Sequence, residues 1–274
     1  MDFQFGVSFL SVLRASDEIR EFCTVKKYGS RFKLVHHKYP VRRAGLDRPK
    51  SEADNLNPPQ DGGPVRYESS LSRTRSAVFE LAACNQWEWF CTFTLADDRG
   101  FDRFDLEGWR KDFSQWIRNQ RRLHRCELDY LIVPEKHENG AWHMHGLVKG
   151  LPLQSLRRFG PDEYLPVRLL RRIRAGDALY EWPAYRKKYG YTVIEPIRDI
   201  DRCASYIAKY VSKAFAEPTL VGNQHMYFAS QGLQRAELVQ RGILTSSVGV
   251  EWDFSNEYCD IKWSNTNDWE LEPV

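Results

Sequence analysis

The sequence lacks the features of secreted, disulfide-rich and membrane-spanning proteins. Six cysteines occur among 274 residues, and no two of them form a C-x-x-C pair. They are therefore expected to be reduced and mostly buried thiols, and not a zinc site or a disulfide framework. No segment is apolar over the length that a bilayer requires, and no basic segment precedes the apolar patch near the N-terminus, as it would in a signal peptide. These absences predict a cytoplasmic protein without membrane contact.

Internal repeats and two enzyme signatures are also absent. The chain has no G-x-x-x-x-G-K-[ST] sequence, the loop with which many ATPases hold phosphates. It also has no H-E-x-x-H sequence, the helical signature of a large class of zinc hydrolases. Neither an ATP-driven motor nor a zinc hydrolase of that class is expected.

Charge is unevenly spread along the chain. The formal net charge is +3, yet residues 251–274 contain seven acidic residues and one lysine. The rest of the chain is consequently basic, which favours an anionic partner such as nucleic acid. A solvated surface followed by a loose acidic terminus explains the same distribution, so charge alone leaves both interpretations open.

Composition divides the chain into four segments. We predict an N-terminal extension over residues 1–48, in which the sequence around Tyr28-Gly29-Ser30 is typical of a β-hairpin. Residues 49–66 are rich in proline, glycine, asparagine and charge, which is typical of a linker. Residues 67–250 are predicted to form one folded domain, and residues 251–274 an acidic C-terminal tail.

Strands and helices are interspersed within the predicted domain. The stretches with strand composition are residues 87–95, 128–135, 141–149 and 190–197. Apolar residues recur at helical spacing between Leu106 and His124, and Asp199 can cap a helix that ends near Phe215. This order predicts an α+β fold in which helices flank a central antiparallel sheet.

Two histidines one residue apart mark a candidate metal site. Side chains alternate along a strand, so His143 and His145 point to the same side. A hairpin turn at Glu138-Asn139-Gly140 would place Glu135 opposite His143 and on the face of both histidines. Two imidazoles and a carboxylate suit a divalent ion such as Mn or Zn, and Mg less well. His137 has the same parity as Glu135 and could replace it, and two histidines without any metal remain the simpler interpretation.

A second candidate group is the helix that contains Tyr206, Lys209, Tyr210 and Lys213. At about 100° per residue, these four side chains share one face, and an aliphatic stripe lies beside it. Adjacent cations favour the phenolate form of tyrosine and attract phosphate. Tyrosine can then attack a phosphodiester and become covalently bound to it. A basic helix with tyrosines at the edge of the core is the alternative.

Three motifs in this order resemble the HUH endonucleases that initiate rolling-circle replication of small phages and plasmids. They are "FCTFTL", "WHMHGL" and "YIAKYVSK", and "YFASQGL" at residues 227–233 also has a similar counterpart in the bacterial initiators. The resemblance covers about residues 66 to 235. The doubled Y-x-x-K resembles the branch of this family that uses two tyrosines.

The resemblance implies a ferredoxin-like core that nicks and joins single-stranded DNA at a replication origin. The expected product is a covalent 5′-phosphotyrosine on Tyr206 or Tyr210, formed with Mg or Mn at His143, His145 and Glu135. Lys209 and Lys213 would bind the scissile phosphate. The expected partners are the origin DNA, a separate host helicase and the replication machinery, in the cytoplasm of a bacterial host cell.

Clustered arginines are expected to contact the DNA backbone. Those predicted to bind DNA are Arg118, Arg121, Arg122, Arg125, Arg171, Arg172 and Arg174, and Arg157, Arg158 and Arg168 belong to the same basic segments. Two alternatives remain. The chain could be a transposase or relaxase of the same superfamily, or a DNA hairpin-binding protein without catalysis.

Overall fold

The computed structural model divides the chain into two compact units. One comprises residues 62–235, and the other combines residues 1–61 with residues 236–274. The residues that the structure describes are 23–38, 64–214, 226–245 and 250–272. Both units contain an antiparallel sheet, and helices flank the sheet of the larger one, so the predicted α+β class is confirmed.

The described residues form thirteen strands and five α-helices. The strands are β1 (Cys23–Tyr28), β2 (Arg31–His37), β3 (Trp89–Thr94), β4 (Asp129–Lys136), β5 (Trp142–Lys149), β6 (Arg157–Arg158), β7 (Tyr180–Glu181), β8 (Thr192–Pro196), β9 (Phe228–Ala229), β10 (Glu237–Leu244), β11 (Phe254–Ser255), β12 (Cys259–Ser264) and β13 (Leu271–Glu272). The helices are α1 (Pro64–Ala83), α2 (Leu106–His124), α3 (Val167–Arg174), α4 (Pro183–Lys188) and α5 (Ile200–Ala214). None of these helices combines the length and the apolar composition needed to cross a membrane.

The larger unit is built on a seven-stranded sheet with the order β6-β7-β8-β3-β5-β4-β9. Its two longest strands, β4 and β5, form a hairpin that turns through Gly140 at a φ of 84°. That conformation is one that glycine adopts without steric cost. The hairpin pairs Glu135 with His143, as the sequence predicts.

Each face of this sheet carries a different helical layer. On one face, α2 and α4 bury a cluster of aromatic side chains that includes Trp109, Phe113 and Tyr185. On the other face, α1 and α5 pack against Leu131 and Leu147. Because strand side chains alternate, His145 and Glu135 point to this second face, and α5 lies above them.

Asp199 caps α5 at the start of this second layer, as predicted. Its carboxylate accepts a hydrogen bond from the backbone N–H of Arg202 at 3.0 Å. Such a bond satisfies one of the amide groups left unpaired in a first helical turn. The cap therefore sets where the helix begins and in which direction its tyrosines point.

The smaller unit has a six-stranded sheet with the order β11-β12-β2-β1-β10-β13. The predicted N-terminal hairpin is present as β1 and β2, which turn at Gly29. After this hairpin, the boundaries of the structural units differ from the segments predicted from composition. The predicted linker, residues 49–66, lies largely outside the described residues. Strand β12, in the segment expected to be an acidic tail, pairs with β2.

Opposite charges add to the pairing of this acidic segment with the basic hairpin. Asp260 of β12 lies opposite His36 of β2, and its carboxylate is 2.8 Å from the ammonium group of Lys38. Opposite charges on adjacent strands attract, and the pairing buries Asp260. The prediction of an acidic tail therefore overlooked a strand. Residues 236–245, which were predicted to belong to the large domain, are part of the smaller unit and its sheet.

The cysteines are free thiols, as predicted, but only three of the six, Cys23, Cys84 and Cys91, are buried. Burial raises the pKa of the Cys91 thiol well above its usual value. A raised thiol pKa makes the reactive thiolate scarce at neutral pH, so this cysteine is a packing residue.

Candidate active site on the sheet

His145 is held on both of its ring nitrogens. Its Nε2 lies 2.7 Å from Oε2 of Glu135, and its Nδ1 lies 3.3 Å from Oγ1 of Thr92. Strand pairing brings these partners together, because Thr92 of β3 lies directly opposite His145. The ring is buried at 8% exposure, so its orientation is defined by these two contacts and by packing.

His143 lies two residues earlier on the same face, opposite Glu135 and Thr94. Its ring is 4.1 Å from that of His137, centroid to centroid. Burial lowers the pKa of His143 to about 4, and the neighbouring His137 and His145 add to the effect. His143 is consequently neutral at physiological pH, and neutral imidazole is the form that binds metal ions.

These donors fit a divalent ion by chemical type. The strands keep two imidazoles and one carboxylate on a single face, as a site of this kind requires. As the side chains lie, however, Glu135 bonds directly to His145, and His143 contacts His137. Among the described residues, no three His, Cys, Asp or Glu side chains are arranged to hold a metal ion. Metal binding at His143, His145 and Glu135 therefore stays a prediction.

Tyr210 of α5 completes the group around His145. Its ring stacks on the imidazole with centroids 3.8 Å apart and planes inclined by 19°. Its hydroxyl donates a hydrogen bond of 2.6 Å to the hydroxyl of Tyr206, one turn earlier. The two tyrosines differ in access, since Tyr206 is 48% exposed and Tyr210 only 6%. The predicted shared face of the helix therefore holds a buried phenol and an accessible one.

The surroundings of Tyr210 favour its neutral form. Burial raises the pKa of Tyr210 far above its usual value, and the hydrogen bond with Tyr206 and the charge of Glu135 act in the same direction. The positive charge of Arg168 on α3 opposes them. The expectation that adjacent lysines favour phenolate is therefore not met at Tyr210, since burial outweighs the cations. Lys209 is exposed near Tyr206, and the side chain of Lys213 lies outside the described residues.

The predicted DNA-binding arginines fall on both sides of the sheet. Helix α2 carries Arg118, Arg121 and Arg122, with Arg125 just after it, and packs on the face away from His145. Arg121 is held there by Asp129 at 2.9 Å. Helix α3 carries Arg171, Arg172 and Arg174, of which Arg172 reaches Glu195 of β8 at 2.5 Å. A role in DNA binding stays a prediction for both groups.

Sequence reasoning assigned Arg168 only to a general basic segment, and it did not single out Thr92. A signal for Arg168 is its position one helical turn before Arg172, so both side chains point to the same side of α3. Thr92 lies two residues after Phe90 in β3, so both side chains point to the same face of the sheet. Phe90 contacts His145 and Tyr206 on that face. Both signals need the partner strand or helix to be known.

Residues 88–215 match a family model of replication-associated proteins, described as Replication-associated protein ORF2/gene 2 protein. No curated protein and no solved structure was found to be similar to the chain. The matched segment runs from the start of β3 to the end of α5, so it contains the histidine strand and both tyrosines. The match supports a family of rolling-circle replication initiators, with DNA at an origin as the partner.

Proposed function

We propose that the protein nicks and rejoins single-stranded DNA at a replication origin, with tyrosine as the nucleophile. The observation that carries this proposal is the contact between the Tyr210 ring and His145. A candidate nucleophile and a candidate metal ligand, 65 positions apart in the chain, lie against one another within the segment that matches a replication-associated family. A purely structural tyrosine would not require this partner.

The proposed chemistry is a transesterification. The phenolic oxygen of a tyrosine forms a bond to the phosphorus atom, and the bond from phosphorus to the 3′ oxygen breaks. The 3′ oxygen leaves with a proton as a free hydroxyl, and the 5′ end of the DNA stays on the tyrosine. Attack by a 3′ hydroxyl reverses the step and joins strands without ATP, because the phosphodiester energy is conserved.

We assign the first attack to Tyr206. It is the accessible phenol of the pair, and it accepts the hydrogen bond that Tyr210 donates. A donor aimed at an oxygen stabilises negative charge that develops there during deprotonation and attack. Tyr210 would serve as the second nucleophile, which takes part when the finished circle is released.

His143, His145 and Glu135 are proposed to hold one Mg or Mn ion, with His137 as the alternative to Glu135. The bound ion would polarise the non-bridging oxygens of the phosphate. The residues of the chain orient this site. Thr92 contacts Nδ1 of His145, so Nε2, which lies against Glu135, is the nitrogen of this ring that would hold the ion. Arg168 and Lys209 are the cations proposed to contact the phosphate, together with Lys213.

Covalent capture tests the proposal. Labelled single-stranded DNA from the replicon that carries the gene is incubated with the protein and Mn, and adducts are separated on a denaturing gel. The wild type should form an adduct that the double variant Tyr206→Phe, Tyr210→Phe does not form. Tyr164→Phe is the matched control, because Tyr164 is fully exposed and remote from the site in sequence.

The same experiment separates the alternatives. A DNA hairpin-binding protein without catalysis would shift the DNA on a native gel and give no adduct. A transposase or relaxase would form an adduct with DNA from its own element and not at the replicon's origin. Replication of a plasmid with that origin, supplied with a separate host helicase, distinguishes an initiator from both.

A further inference from the structure

A cleft of about 880 Å³ opens beside Tyr206, within the larger unit. Its walls are the end of α3 and the loop after it, the end of β8, and the first turns of α5. Phe90 and Tyr206 supply aromatic surface, with ring centroids 5.6 Å apart. The volume is in the range of pockets that hold small organic ligands, and it leaves room for a nucleotide.

The charges of the cleft are balanced. Its lining contains four basic and four acidic residues, which are Arg172, Arg198, Arg202, Lys209, Asp177, Glu195, Asp199 and Asp201. A groove that follows only the phosphate backbone would carry a clear excess of cations. Equal numbers of positive and negative charges next to an aromatic surface suit a neutral, planar group with hydrogen-bonding edges. A nucleobase is such a group.

Two carboxylates of the cleft, Glu195 and Asp177, are held in place by one arginine. Arg172 donates to Glu195 at 2.5 Å and, through Nε, to Asp177 at 2.8 Å. These bonds engage much of the guanidinium group. Each carboxylate can accept about four hydrogen bonds, so Glu195 and Asp177 keep acceptor positions available. A ligand can therefore donate to these two carboxylates, whose positions their shared arginine sets, while Arg198, Arg202 and Lys209 offer donors elsewhere in the cleft.

We propose that this cleft binds one unstacked base of the DNA strand next to the phosphate attacked by Tyr206, and that it prefers cytosine to thymine. Cytosine presents an exocyclic amino group, which carboxylates accept from. Thymine flanks its single ring N–H with two carbonyl oxygens, which would face the carboxylates. The inference rests on the proposed function in one respect, namely that the ligand is the DNA strand that Tyr206 attacks.

Equilibrium binding in EDTA tests the cleft without requiring cleavage. Fluorescently labelled oligo-dC and oligo-dT of equal length are titrated with the full chain above neutral pH, where oligo-dC stays single-stranded. We expect oligo-dC to bind about fivefold more tightly, the factor that one net hydrogen bond supplies. Glu195→Gln should remove that preference, because an amide presents a donor as well as an acceptor.

Glu163→Gln is the matched control for the carboxylate. Glu163 also pairs with an arginine, Arg157 at 2.7 Å, and its side chain is 32% exposed against 31% for Glu195. It does not line the cleft, so this variant should keep the preference for oligo-dC. If Glu195→Gln unfolds on heating well below the wild type, Asp177→Asn replaces it, with the same expected loss of preference.

A second experiment tests whether a base stacks on the ring of Tyr206. Tyr206→Phe and Tyr206→Ala both lack the hydroxyl, but only the alanine variant lacks a ring on which a base can stack. We expect the alanine variant to bind oligo-dC about 5- to 150-fold more weakly than the phenylalanine variant.

Equal affinity of the wild type for oligo-dC and oligo-dT overturns the proposal. So does a preference that survives both Glu195→Gln and Asp177→Asn. Neither result bears on catalysis, whereas failure to form a covalent adduct counts against the proposed function and leaves these binding results standing.

Discussion

Tyr210 and His145 lie face to face, with their ring centroids 3.8 Å apart. His145 is bonded to Glu135, and Tyr210 to Tyr206, so this stack joins two hydrogen-bonded pairs into one group. The group connects β4, β5 and α5 on a single face of the sheet. Substitution of one of these four residues should therefore change the position or the hydrogen bonds of the other three.

The tyrosines should differ in their contribution to nicking. We expect Tyr206→Phe to slow the initial nick far more than Tyr210→Phe, because Tyr206 is exposed and accepts the hydrogen bond from Tyr210. Each single variant should still form some adduct, and the double variant none. Mass spectrometry of the adduct identifies the tyrosine that carries the DNA. If Tyr210→Phe slows the initial nick more than Tyr206→Phe does, the order of attack is reversed. If one variant loses all adduct while the other equals the wild type, the enzyme uses one tyrosine.

Replacing both histidines should abolish metal-dependent nicking. The double variant His143→Ala, His145→Ala is expected to lose cleavage in Mn and to bind Mn too weakly for detection by calorimetry. Removing His145 also leaves Glu135 without its bonded imidazole, at a cost of about 1–3 kcal/mol. The double glutamine variant restores polar partners and serves as the control for folding. Wild-type nicking rates in the alanine variant would falsify the assignment of the metal ligands.

Arg168 should act on the phosphate. Arg168 is exposed and lies on the same side of α3 as Arg172. Its positive charge acts to lower the pKa of Tyr210. We expect Arg168→Ala to slow adduct formation about tenfold, as the loss of one charge-assisted hydrogen bond does. Arg99→Ala is the control, since Arg99 is also an exposed cation but lies outside the predicted DNA-binding segments and pairs with Asp98 at 3.5 Å. Equal effects of the two variants would indicate general electrostatic attraction only.

Asp260 should make the smaller unit sensitive to acid. Burial by itself would raise the pKa of Asp260, but hydrogen bonds from Lys38, Ser255 and His36 lower it to about 2. A lowered carboxyl pKa gives stability that is complete above the usual value and is lost as the pH falls towards the lowered one. We therefore expect Asp260→Asn to lower the free energy of unfolding by about 1–2 kcal/mol at neutral pH.

The difference should shrink as the pH falls from about 4 to about 2. Urea unfolding of both proteins at several pH values measures it. Asp98→Asn is the control, because Asp98 lies in the larger unit and its side chain is 72% exposed. A difference between wild type and Asp260→Asn that does not depend on pH contradicts the predicted role.

Features that depend on neighbours along the chain follow from the amino-acid sequence alone. Strand parity placed His143 and His145 on one face, and the turn at Asn139-Gly140 set Glu135 opposite His143. Helical periodicity placed Tyr206 and Tyr210 one turn apart on one face, where their hydroxyls now bond. These relations follow from fixed backbone geometry, which repeats every two residues in a strand and every 3.6 in a helix.

Which of these faces meet one another depends on the tertiary fold. The stacking of Tyr210 on His145, and the arginine bridge from α3 to Glu195, join segments whose mutual position no local period encodes. The pairing of β12 with β2 is the clearest case, because its partners are more than 200 positions apart. Local geometry determines where a side chain points, but burial of the combined apolar faces determines what it contacts. The acidic C-terminal segment is a strand of a sheet for that reason, although its composition predicted a tail.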